Sequence, residues 1–220
     1  MDDRRVIHHL PFNYKRKYTM IDRSELTQTF AKKYESLEQD WGGNSGPGSD
    51  PYYNIPYRSF LETFLKINDI RSVVDVGCGD WQFSRFLNYL NIEYLGLDLV
   101  RSVIERNDVQ FGASNIRFQL APQRIEDIPS GDLLIMKDVL QHLPSAEIMR
   151  YRDLLFPRFK FCLITNSYRK VNTPLNIDVP PGGFRCIDLT QPPFDVHGAN
   201  VLQFTTEVYE ELRTLLIVNS

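Results

Sequence analysis

The stretch SVVDVGCGD, Ser72 to Asp80, followed by YLGLD, Tyr94 to Asp98, decides the fold. Ser72 to Val76 is a short apolar run of the kind carried by a strand buried on both faces, and two glycines end it at once. Gly77 and Gly79 permit a sharp turn where a side chain would block a ligand approaching the backbone. Tyr94 to Leu97 is the next buried strand, and Asp98 closes it 19 residues beyond Gly79, where a carboxylate can accept both hydroxyls of a ribose.

Outward from this unit, short apolar runs alternate with helical patterns from Tyr57 onward. Strands are expected at Ile116 to Leu120, Leu133 to Met136 and Phe161 to Thr165, with helices near Phe60 to Ile67, Gln82 to Leu90, Val100 to Asn107 and Ser145 to Phe156. Val201 to Thr205 and Leu212 to Val218 read as an antiparallel hairpin at the sheet edge. The fold class expected is α/β: a Rossmann-like, doubly wound, mostly parallel seven-stranded sheet with helices on both faces. Asp22 to Gln39 reads as a further helix, capped by Asp22 with Glu25 reaching back. The glycines and proline of Trp41 to Asp50 make a loop, either a linker or a wall facing a ligand. Residues 1–56 are therefore taken as an N-terminal arm, helix and Gly/Pro loop acting as a lid, and 57–220 as the catalytic domain.

A dinucleotide fingerprint would need a third glycine where Gln82 stands. Asp75 and Asp80 add acidic groups around the first turn, which attract a sulfonium and an amino group and repel a pyrophosphate. The turn thus favours a cationic adenosyl cofactor. The expected cofactor set is Asp75, Gly77, Cys78, Gly79 and Trp81 at the turn, Asp98 and Leu99 at the second strand, and Lys137 at the fourth. Ser45 and Gly46 join it from a loop closing over the cofactor, with Arg58 pairing with the cofactor carboxylate.

VVDVGCGDWQF, YLGLDLV and DLLIMKDVLQHL resemble the first, second and fourth motifs of class I S-adenosylmethionine-dependent methyltransferases. Trp41-Gly42 with SGPGS, CGDW, KDVLQHL, and Asn176-Ile177-Asp178 followed by Phe184-Arg185 resemble, more narrowly, small glycan-associated methyltransferases of bacteria and large DNA viruses. The resemblance implies S-adenosyl-L-methionine as cofactor and a sugar hydroxyl of a glycan or nucleotide sugar as acceptor. It also implies a setting beside a glycosyltransferase partner or within a larger parent polypeptide. Relatives place an aspartate after the third strand, near the adenine; here Ala121-Pro122-Gln123 stands instead, leaving backbone groups or Gln123 for that task.

Methyl transfer to an alcohol needs alignment and a base. His142 is the candidate base, and Asp138, one helical turn earlier if a helix begins there, is the candidate partner. The alternative is that Asp138 caps and His142 packs. Asn176, Asp178 and Arg185 sit in a long polar loop at the ligand side of the sheet and are candidate acceptor residues, with a salt bridge stapling the loop as the rival account. Asp138, His142 and Asp178 are donors on which a divalent metal could converge, although no spacing demands one. A small-molecule acceptor, a nitrogen acceptor, or a module that binds the cofactor without catalysis are the other functions weighed.

With 42% hydrophobic residues in 220, the chain can bury one substantial core. A net charge of -3 gives no global reason to bind nucleic acid. Three scattered cysteines, Cys78, Cys162 and Cys186, build no disulfide framework, and no apolar run is long enough to cross a bilayer. A cytoplasmic location is expected, in the host's cytoplasm if the source is viral.

Overall fold

The computed structural model describes residues 23–35, 43–206 and 210–219. Asp22, residues 36–42 with Trp41 and Gly42, and the arm at 1–21 with His8 and His9 lie outside the described residues. The described elements run α1 (Arg23–Glu35), α2 (Ile55–Ile67), β1 (Ser72–Val76), β2 (Glu93–Asp98), α3 (Arg101–Phe111), β3 (Ile116–Leu120), β4 (Gly131–Lys137), α4 (Ser145–Leu154), β5 (Phe159–Arg169), β6 (Ala199–Thr205) and β7 (Glu211–Val218).

The seven strands form one sheet in the order β3-β2-β1-β4-β5-β7-β6. The first five are parallel; β7 runs antiparallel to β5 and to β6, so the terminal hairpin carries the sheet edge as expected. Alternate residues of each strand feed opposite cores, since strand side chains have a period of two. Val73, Leu133, Ile135 and Leu163 meet Tyr57, Leu61, Phe64 and Leu65 of α2 and Ile104 of α3. Val74, Val76, Leu134, Met136 and Ile164 meet Leu26 of α1 and Ile148 and Tyr151 of α4. Helices therefore cover both faces.

The helix expected over Gln82 to Leu90 does not form. Only a 3-10 turn spans Ser84–Phe86, and Leu87 and Tyr89 are buried while Asn88 and Leu90 are exposed, a period of two that a helix cannot present. Trp81 starts this departure with φ 57, which drives its indole into a nest of Tyr89, Tyr94, Phe111 and Phe118.

Candidate active site

The C-terminal ends of β1, β2 and β4 open on a cavity of about 680 Å³, roofed by α1 and by the Ser45 to Ser49 loop. The glycine turn forms its floor. Gly77 and Gly79 have φ of 79° and 56°. A Cβ on Gly77 would lie 2.4 Å from Val139 Cγ2, and one on Gly79 would lie 2.3 Å from Ser45 Oγ. The turn needs glycine for its backbone shape and because the protein itself closes in, a tighter reason than ligand access alone.

Asp98 accepts the N–H groups of Gly79 (3.1 Å) and Val100 (2.9 Å), which points its carboxylate at the turn. Burial raises its pKa, and those same N–H donors oppose the rise. Each oxygen keeps a lone pair for a further donor, so the group fits a ribose diol. Asp75 is buried beneath, takes the Tyr94 hydroxyl at 2.8 Å, and is pushed up to about 7 by burial.

The Ser45 to Ser49 loop is a wall of the cavity. Ser45 exchanges bonds with Asp80, whose N–H donates to Ser45 Oγ at 2.8 Å, and Lys137 Nζ donates to the Gly48 carbonyl at 2.9 Å. Ser45, Gly46, Asp75, Gly77, Cys78, Gly79, Asp98, Leu99 and Lys137 all line the cavity. Two members of the expected set do not. Trp81 is a core residue that donates to Tyr94 OH at 2.9 Å, and Arg58 turns outward to the Phe86 ring.

At the other end stand Asp138 and His142. Asp138 has φ 57 and its carboxylate pairs with the adjacent Lys137. A 3-10 turn over Leu140–His142 replaces the helix that would have stacked the two side chains, and no hydrogen bond joins them. The two side chains are thus not bonded as a dyad, although the Asp138 charge still acts on the imidazole. Asp138 Oδ1 is buried with no hydrogen-bond partner, an acceptor held ready beside the cavity. His142 Nδ1 lies 2.8 Å from the Gly183 carbonyl, which can only accept, so Nδ1 carries the proton and Nε2 the lone pair. Burial pulls the imidazole down to about 4, so it is neutral at physiological pH. Phe30 and Phe184 flank the ring with centroids at 6.4 and 5.8 Å.

The three acceptor candidates serve the scaffold instead, and none lines the cavity. Asn176 donates to the carbonyls of Asp188 and Pro192 and accepts the Asp188 N–H, which uses its amide within the loop. Asp178 accepts the N–H of Ser145 at 2.7 Å and so caps α4, with its side chain 69% exposed. Arg185 is fully buried, donating to the carbonyls of Leu143 and Ile177 and to Ser145 Oγ. Arg185 and Asp178 also lie 3.4 Å apart, the ion pair of the stapling account. Asp178 also does not join Asp138 and His142, and no group of three metal-binding side chains exists among the described residues.

Sequence reasoning expected the helix that contains α1 but not the face it turns to the cavity. Leu26, Phe30 and Tyr34 recur every four residues and line the cavity together, a helical stripe that was visible in the sequence. Tyr34 OH meets Ser45 Oγ at 2.8 Å above the glycine turn. Phe184 also lines the cavity, as do Lys170 and Glu210, which no local pattern announced.

The fold recurs in solved structures. Magnesium protoporphyrin IX methyltransferase from Synechocystis, with bound S-adenosylhomocysteine, superposes with a TM-score of 0.59 at 15% identity, covering 90% of this chain and 100% of that one. The 1,6-didemethyltoxoflavin-N1-methyltransferase of Burkholderia thailandensis, also with bound S-adenosylhomocysteine, gives 0.63 at 14% identity, covering 92% of each chain. The fold is that of the class I S-adenosylmethionine-dependent methyltransferases. In sequence, the chain is similar to the ubiquinone biosynthesis O-methyltransferase of Coxiella burnetii, 27% identical over 134 residues, 59% of this chain and 55% of that protein. The corresponding protein of Xanthomonas euvesicatoria is 26% identical over 155 residues, 67% and 64% of the two chains. The chain thus spans about half the length of the first of these relatives. No family model matches it. Among the described residues no helix is long and apolar enough to cross a membrane.

Proposed function

We propose that the chain is an S-adenosylmethionine-dependent O-methyltransferase that acts on a hydroxyl of a molecule presenting a flat face to Phe30 and Phe184, with His142 as general base. The observation that carries it is one continuous cavity holding the Asp98 turn at one end and a neutral imidazole at the other. S-adenosylmethionine supplies an electrophilic methyl group on a sulfonium. Asp98 is the residue for the ribose, and Asp75 and the Asp138 Oδ1 are the acceptors for its cationic end. Burial keeps His142 neutral, and Gly183 fixes the tautomer with the lone pair on Nε2, where the Gln141 amide nitrogen lies at 3.4 Å and would yield to the acceptor hydroxyl.

Support for oxygen as the acceptor comes from the two O-methyltransferase relatives and from that base. The sugar acceptor implied by the resemblance has lost Asn176, Asp178 and Arg185 as its holders, and rests on the aromatic wall, on which the C–H face of a sugar ring can stack as a phenol can. Methyl-donor consumption against a panel of deoxysugars, nucleotide sugars and phenols, with and without chelator, tests the proposal. Turnover on a hydroxyl acceptor that drops in His142→Ala at unchanged S-adenosylhomocysteine affinity is the expected result. Turnover only on nitrogen acceptors sinks it, and cofactor binding without turnover on the panel leaves the non-catalytic module.

A further inference from the structure

The adenine end of the cavity departs from what the sequence led one to expect. Gln123 is exposed and lies off the cavity, while Ala121 lines it with its N–H already given to the Asp98 carbonyl at 2.8 Å. No side chain from the segment after β3 brings a polar group to this end. Arg23 of α1 does. Its guanidinium donates to the Pro122 carbonyl and to the Tyr151 hydroxyl, and its Nε stands 3.5 Å from Glu147 Oε1. Glu147 is fully buried and also holds Arg150 at 2.9 Å. Arg23 and Tyr151 both line the cavity, with Leu26, Leu99 and Leu143 as apolar walls. At its other end the same helix places Tyr34 on Ser45 over the glycine turn. One helix therefore touches both ends of the cofactor half of the cavity, with a charged group at one and a phenol at the other.

We infer that Arg23 is a cofactor-binding residue that takes over recognition of the adenine end from the segment after β3, and that it thereby makes docking of α1 depend on the cofactor. This rests on the cavity being the S-adenosylmethionine site. A guanidinium has donors beyond the two in use and a planar face, so it can donate to a heterocycle's ring nitrogens or stack on it. It also reaches the site from an element separate in sequence from the strands that hold Asp75 and Asp98. Ligand bound against Arg23 must hold α1 down, and loss of the ligand removes one of the groups that hold it there.

Calorimetric titration with S-adenosylhomocysteine, paired with hydrogen exchange over Arg23 to Glu35 with and without that ligand, tests the inference. Arg23→Lys is the first variant, because it keeps a positive charge beside Glu147; Tyr151→Phe, which removes only the hydroxyl that Arg23 engages, serves if the lysine variant does not fold. In the native protein, ligand should slow exchange across α1 at least tenfold. In the variant, affinity for both S-adenosylhomocysteine and 5′-methylthioadenosine should fall about tenfold or more, and the ligand-dependent protection of α1 should vanish while the sheet keeps its own. A merely structural arginine would leave α1 equally protected with and without ligand. That result, or variant affinity within twofold of native, overturns the inference while leaving the cofactor site intact. No binding by the native protein removes the methyltransferase proposal first, and this inference with it.

Discussion

At the glycine turn, Asp98 takes N–H groups from Gly79 and Val100 and Gly77 abuts Val139, so the floor itself is built from strand ends and the residues just after them, with Ser45 and Tyr34 closing over Gly79. At the His142 end the walls come from afar. Phe30 arrives on α1, Gly183 and Phe184 come from the loop after β5, and Glu210 comes from the connection into β7. The first region is held by backbone geometry, which tolerates little change. The second is held by side chains whose neighbours depend on how distant segments dock, so chemistry there can shift while the fold stands.

The contrast can be broken experimentally. His142→Ala should cost the most in rate, about 10² to 10⁴ in kcat as general-base removal does, with S-adenosylhomocysteine affinity unchanged by calorimetry. A drop in affinity of similar size would mean the two ends are not separable. Gly77→Ala should do the opposite. Its Cβ would fall 2.4 Å from Val139 at a φ of 79°, so roughly 1 to 3 kcal/mol of stability goes with it, and ligand affinity collapses. A thermal melt and a titration of the purified variant read both losses.

The pH dependence of stability sharpens the comparison. His142 sits at about 4 in the folded chain against an ordinary 6.5, so between those values the unfolded chain binds more protons. Its contribution is intact above 6.5 and drains as pH falls towards 4, by roughly 3 kcal/mol at most. Asp75, raised to about 7 from 3.8, works the other way, since its contribution is full at low pH and is lost as pH rises through 7. Urea melts from about pH 4 to about pH 8 should show the acid-side loss shrink in His142→Gln and the neutral-side loss shrink in Asp75→Asn.

Asp98→Asn should weaken S-adenosylhomocysteine about tenfold to a hundredfold, because an amide cannot accept from both N–H groups and a diol at once. Wild-type affinity in that variant would remove Asp98 from the ribose. The smallest effect belongs to the outer loop. Asp178→Ala should cost about 1 kcal/mol as a lost helix cap and leave KM and kcat within twofold. A clear rise in KM would return that loop to the acceptor site.

The same contrast explains what the sequence disclosed. All seven strands and the hairpin were legible because buried strands announce themselves as apolar runs between turn residues. The cofactor floor was legible because its geometry is local: glycines at 77 and 79 and an aspartate at 98 fix one another through two strands. The helix at Gln82 to Leu90 was misread because its apolar residues satisfy either period over so short a span. Trp81 was misassigned because an aromatic beside a glycine turn looks available to a ligand until the Tyr89, Tyr94 and Phe118 nest is known. Arg185 and Asp178 have the residue types of a binding loop, and only the positions of Leu143 and Ser145 reveal that their bonds are already committed.

The place of β7 has a further effect, on synthesis. β6 pairs with β7 alone and β7 separates it from β5, so Ala199 to Thr205 leave the ribosome with no strand to join. Leu212 of β7 joins one core and Leu215 the other, so the same strand that receives β6 also completes both faces of the sheet. Removal of β7 would therefore expose the edge of β5 along its length, which makes that strand the safeguard against edge-to-edge association.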